Sequence, residues 1–120
     1  MAAPARVYTY AKCSTCRKAV AWLRAQKVAF VEVPIVEQPP SIAELGTMLS
    51  RVDGVRRLFN TSGEQYREQK IAERLSGGMS DDEAIALLAQ HGKLIKRPFL
   101  LSGRVGLVGF KEEAWAAALL

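Results

Sequence analysis

Histidine and cysteine are scarce in this chain of 120 residues, with one of the first and two of the second. Zinc prefers about four ligands drawn from Cys and His, and Cys13, Cys16 and the distant His91 fall short of that, so no metal centre and no bound cofactor are expected. No apolar run approaches the roughly 18 residues of a membrane span. The opening "MAAPAR" lacks the long apolar core of a secretory signal. A cytoplasmic location is the expectation, and there a stable structural disulfide is uncommon because cellular thiols reduce it. The net charge is +5 and the pI near 9.5, yet the basic residues form no block. Only local pairs such as Arg56-Arg57 and Lys96-Arg97 occur, and no nucleic-acid-binding signature accompanies them, so direct DNA binding is not expected. Most of this charge solvates the surface, and a smaller share attracts an anionic substrate or an acidic partner. Internal repeats and low-complexity linkers are also missing, which predicts a single domain over residues 1–120, long enough to bury its own core.

What is present is an alternation of short strands and helices. Val7–Tyr10 is a β-prone run, Ser14–Gln26 turns helical, and "AFVEV" (Ala29–Val33) alternates apolar and polar. Strand, helix and strand over about 30 residues predict a βαβ unit with a parallel pair. "EQPPS" closes it, because adjacent prolines continue neither a strand nor a helix. The middle of the chain reads as helical. Ser41 with Glu44 forms a capping-box pattern ahead of a helix ending near Ser50, and another helix is predicted from about Gly63 to Leu75. Ser80 with Glu83 repeats the pattern, with Gly92 as the stop and His91 on the surface near the helix end. "RPFLL" and "RVGLVGF" predict two strands joined by a Ser102-Gly103 turn, and Glu112–Leu120 a final helix. The fold class is therefore α/β, β-α-β followed by β-β-α in a thioredoxin-like order, with a helical insertion at about residues 41–92.

Both cysteines fall at the junction of the first strand and the first helix, in "YAKCSTCRKA". Cys13 lies just before the helix, where free backbone N–H groups and the helix dipole favour a thiolate, the nucleophilic form of the side chain. Lys12 and Arg17 add local positive charge and are candidate substrate-binding residues. Cys16 is one turn further on, within reach of Cys13 for an intramolecular disulfide. It shares a helical stripe with Ala19, Val20 and Leu23, which predicts that it faces the core and acts as the resolving thiol. The alternative, two inert small hydrophobes, explains neither the spacing nor the place after a strand. A C-x-x-C in a βαβ unit is a recognised thioredoxin-like redox signal.

Three segments, "YAKCSTCRKA", "RLFNTSGEQYRE" and "KRPFLLSGRVGLVGF", together resemble the arsenate reductase–Spx (ArsC/Spx/MgsR) family in the family's order, over about Val7 to Trp115. The resemblance implies a thioredoxin-like fold with a helical insert and a reactive cysteine at Cys13. It also implies a cis Pro98 packed near the cysteine loop as a substrate-binding residue, compatible with an X-Pro bond being the common place for a cis peptide. Arg97 matches an arginine that in family arsenate reductases binds the oxyanion and stabilises the thiolate, a task suited to a planar guanidinium. Arg56 matches a further active-site arginine, with Arg57 an equally close candidate. Two positions depart from the glutathione-coupled arsenate reductases. Cys16 is a second cysteine that they do not carry, and Gly109 stands where another arginine is expected. A bound oxyanion needs its charge neutralised, so the second departure argues against arsenate, and "LVGF" and "NTSG" resemble the Spx-like and uncharacterised ArsC-like branches.

Two functional readings follow from the resemblance. In the first the chain is a thiol-dependent oxidoreductase, with Cys13 as nucleophile, Cys16 as resolving thiol and Arg97 holding negative charge beside the sulfur. Its reductant would be glutathione (as co-substrate), glutaredoxin or thioredoxin. In the second it is an Spx-like redox-sensing transcriptional regulator whose partner is the RNA polymerase α subunit.

Overall fold

The computed structural model describes residues 4–120, which leaves Met1 to Ala3, half of the "MAAPAR" segment, outside the described residues. The chain runs β1 (Ala5–Thr9), α1 (Ser14–Ala25), β2 (Phe30–Pro34), α2 (Ile42–Leu49), α3 (Glu64–Glu68), α4 (Ile71–Ser76), α5 (Asp81–Gln90), β3 (Phe99–Ser102), β4 (Val105–Val108) and α6 (Glu112–Leu119). Short 3-10 turns cover Val55–Leu58 and Gly92–Leu94. The sheet order is β2-β1-β3-β4, with β1 parallel to β2 and antiparallel to β3, and β3 antiparallel to β4. This is the expected β-α-β and β-β-α frame, with α2 to α5 between its halves.

The two central strands explain why helices cover both faces. Side chains alternate along a strand, so Ala5 and Val7 point one way and Tyr8 the other. In β3, Leu100 pairs with Val7 and Phe99 with Tyr8, which keeps each pair on one face. Ala5, Val7 and Leu100 pack with Ala19, Trp22 and Leu23 of α1 and Trp115 of α6. Tyr8 and Phe99 pack with Leu45 and Met48 of α2, Tyr66, Ile71, and Ala84 and Leu88 of α5. The Tyr8 and Phe99 rings meet edge to face at 5.7 Å.

Glu44 links sheet and insert. Its backbone N–H donates to the Ser41 hydroxyl oxygen and its carboxylate accepts the Ser41 N–H, both at 3.1 Å, completing the capping box at the head of α2. The same carboxylate accepts the Tyr8 hydroxyl at 2.8 and 3.0 Å, so the first turn of the insert is tied to the central strand. At the far edge of the sheet, Arg51 Nη1 donates to the Val105 carbonyl of β4 at 3.1 Å.

Several boundaries differ from the sequence reading. Strand β1 starts at Ala5 and ends at Thr9 rather than spanning Val7–Tyr10, because Tyr10 already begins the cysteine loop. The helix expected over 63–75 is two helices, broken at Lys70 with φ of 52°. Tyr66 and Ile71 are both buried but five residues apart, too far round one helix to share a face, and the break lets both reach the core. At α5 Ser80 accepts the Glu83 N–H at 3.1 Å, but the Glu83 carboxylate bonds the Ser80 hydroxyl, so only half of the box forms. The hairpin turn is Gly103-Arg104, since Ser102 still pairs with Val105. His91 caps the end of α5, partly buried rather than on the open surface.

Candidate active site

Helix α1 begins on a thiol. Cys13 occupies the N-cap with extended backbone, and its Sγ accepts the Cys16 backbone N–H at 3.3 Å, the bond a serine or aspartate oxygen would usually accept there. The Cys13 N–H donates to the Tyr10 carbonyl at 3.0 Å, closing the loop between β1 and α1. The Cys13 side chain is therefore held, half-buried, at the positive end of a 12-residue helix. Cys16 is 2% exposed and lies on the inward stripe of α1, as its spacing with Ala19 and Leu23 predicted. Burial, then its closeness to Cys13, pushes the Cys16 thiol up to about 12, with the nearby Arg97 charge pulling weakly the other way. Both thiols are free.

Arg97 is anchored onto the cysteine loop. Its Nη1 donates to the Lys93 carbonyl at 3.0 Å, and its guanidinium carbon sits 4.7 Å from the centre of the Tyr10 ring. One residue, Tyr10, thus holds Cys13 through its carbonyl and Arg97 through its ring, an attraction of cation to aromatic face. The Arg97–Pro98 peptide is cis. Pro98 itself is buried behind the site rather than lining it.

An open cleft of about 1280 Å³ runs from Cys13 between the 3-10 turn of Val55–Leu58 and the segment from β4 to α6. Arg51, Arg56, Arg57, Lys96, Arg97 and Lys111 line it against a single carboxylate, Asp53. That excess of cations suits an anionic occupant. Leu107, Phe110 and Trp115 give it one apolar wall, fixed by Trp115 Nε1 donating to the Gly109 carbonyl at 3.0 Å and by the edge-to-face contact of Phe110 with Trp115 at 5.0 Å.

Of the residues singled out in the sequence, Cys13, Arg56 and Arg97 are brought together in the cleft, with Cys16 beneath. Arg57 lines it equally, so both arginines of the pair face the same space. Lys12 and Arg17 do not line it. Both are exposed, because neighbours of an N-cap in the chain fan outward round the helix start rather than towards the thiol. Missed were Lys96, Lys111 and Arg51. Lys96 carried the one available signal, its adjacency to Arg97, while nothing local marks Arg51 or Lys111. Among the described residues no cluster of three or more His, Cys, Asp or Glu is placed to hold a metal ion, and no helix is long and apolar enough to cross a membrane.

Known proteins are similar to this chain along nearly its whole length. The ArsC family model matches residues 8–118. The uncharacterized protein YusI of Bacillus subtilis (strain 168) is 46% identical over 114 residues, covering 91% of this chain and 96% of that protein. The global transcriptional regulator Spx of Streptococcus pneumoniae (strain ATCC BAA-255 / R6) is 32% identical over 108 residues, covering 89% of this chain and 79% of the regulator. A crystal structure from Bacteroides fragilis, described as ArsC family related, superposes with a TM-score of 0.91 at 39% identity, covering 98% of this chain and 99% of the other.

Proposed function

The chain belongs to the ArsC family, and from that premise we propose that it is a thiol-dependent oxidoreductase in which Cys13 attacks an oxidised, anionic substrate and Cys16 resolves the product. The observation that carries this reading is the Cys13 sulfur at the head of α1, bonded by the Cys16 N–H and opening into a cleft with six cations and one acid. With a disulfide substrate, the Cys13 thiolate forms a mixed disulfide and expels one half as a thiolate. Cys16 then gives up its proton, and its sulfur attacks Cys13 and expels the other half. Two electrons have passed to the substrate, and a Cys13–Cys16 disulfide remains. With an oxyanion of the arsenate type, Cys13 displaces one oxygen as water. Closure of the same disulfide then returns the central atom reduced by two electrons. Arg97 and Arg56 hold the negative charge beside the sulfur, and the dithiol is restored by glutathione, glutaredoxin or thioredoxin in the cytoplasm.

A second reading is supported by the likeness to Spx. There the same thiol pair is a redox switch and the partner is the RNA polymerase α subunit, with the cationic cleft meeting an acidic surface. The test that separates them is steady-state reduction of glutathione mixed disulfides and of arsenate, with each reductant supplied, beside a pull-down with the α subunit. The oxidoreductase reading expects turnover that Cys13→Ser abolishes. Binding of the α subunit without turnover of either substrate overturns it in favour of the switch.

A further inference from the structure

One cation of the cleft lies against a residue without a side chain. Gly109 has φ of 71°, donates its N–H to the Pro98 carbonyl at 2.9 Å, and accepts Trp115 Nε1 at 3.0 Å, so its backbone is held on both sides. A Cβ placed there would lie 2.9 Å from Lys96 Cε, with Cδ and Nζ each at 3.9 Å. The exposed Lys96 stem therefore lies against the bare α-carbon of Gly109, where a Cβ would push its flexible end aside. Its own backbone is fixed too, since the Lys96 N–H donates to the Leu58 carbonyl at 2.8 Å, at the end of the turn that bears Arg56 and Arg57. A positive charge is thus delivered across space to the position where Gly109 supplies none.

We propose that Lys96 is a substrate-positioning residue, which uses Gly109 as a shelf to hold its ammonium over the anionic part of a disulfide or oxyanion attacked by Cys13. The proposal rests on the reading of Cys13 as nucleophile. A lysine in open water spreads over many rotamers, whereas a shelved stem gives up part of that freedom before the substrate arrives. Its ammonium is a compact point charge with freely rotating donors, so it accepts carboxylates and oxyanions of varied shape beside the fixed fork of Arg97. The substrate class implied is one whose negative charge lies beside the reacting sulfur or oxyanion centre.

The experiment uses alkylation of Cys13 in the intact chain by iodoacetate, which is anionic, and by iodoacetamide, which is neutral, with peptide mass spectrometry confirming the site. The ratio of the two rates reads the field at the sulfur without requiring turnover. Lys96→Met should lower that ratio by about threefold to fivefold, the weight of one partly screened charge, with the iodoacetamide rate changing much less. Lys96→Arg should restore it. An unchanged ratio in Lys96→Met, or an equal loss in Lys96→Arg, overturns the proposal. Absence of turnover in the assays above would instead count against the oxidoreductase reading and leaves the ratio interpretable by itself.

Discussion

If Cys16 resolves the product, its chemistry should be limited by its proton. Burial and then Cys13 push this thiol from 9.0 to about 12, and only a thiolate attacks a disulfide. At any pH below 9 a shift of that size lowers the thiolate fraction about a thousandfold relative to the unshifted group. Once Cys13 is tied up in a mixed disulfide its share of the effect falls away, but burial, the largest cause, stays, so the Cys16 thiol remains raised. The sign is simple: resolution accelerates as pH rises, by about tenfold per unit, with no levelling at the pH of an ordinary thiol. The assay is stopped-flow reaction with an aromatic nitrobenzoate disulfide, which releases one coloured thiolate as Cys13 reacts and a second as Cys16 closes the ring. The logarithm of the second rate should climb with a slope near one from about pH 7 to 10, and Cys16→Ser should lose this phase altogether. A second phase that levels off near pH 8.5, as a solvated thiol would, refutes the idea that burial governs Cys16.

Arg97→Ala removes the guanidinium that stacks on Tyr10 and should lower kcat/KM for a glutathione mixed disulfide by roughly tenfold to a hundredfold. Arg97→Lys should keep most of the Cys13 alkylation rate yet still impair turnover, because it retains the charge and loses the fork; wild-type kinetics in both variants would make Arg97 a bystander. Gly92→Ala tests the packing behind the site. A Cβ there collides with the Ile35 carbonyl and crowds Val36 Cα, both backbone, so a loss of about 2–4 kcal/mol and a drop of roughly 10 °C in Tm are expected in a thermal melt. A shift under about 2 °C would mean the chain gives way there.

Local pattern carried the frame well. The apolar stripe of Cys16, Ala19, Val20 and Leu23 is a statement about one helix, and helical periodicity alone decides which face is buried. The Ser41–Glu44 box is equally local and formed in full. What depended on distant partners was not legible. The break at Lys70 is set by the need to bury both Tyr66 and Ile71 against α5 and the sheet, a demand absent from the segment itself. The same holds in the site. Cys13 was placed by its own helix, but the cations around it arrive from residues 51 to 57, 96 to 97 and 111, joined only by the fold. Lys12 and Arg17 show the converse, since adjacency in the chain did not put them beside the sulfur.

The bond from Arg51 to the Val105 carbonyl has a consequence for how molecules of this protein meet one another. Strand β4 lies at the rim of the sheet, where a free carbonyl row is a template on which a foreign strand can add. Arg51 bonds the Val105 carbonyl at the start of this strand, and Met48 and Arg51 press so closely on Gly106 that a Cβ there would come within 2.8 Å of Met48 Sδ. A stranger's strand approaching along this rim would have to dislodge a guanidinium and then lie against the packed end of α2. The opposite rim ends at Pro34, which has no N–H to offer, and carries Glu32 within it. The two rims of the sheet are therefore covered by different kinds of residue, a guanidinium and a thioether at one, a proline and a carboxylate at the other.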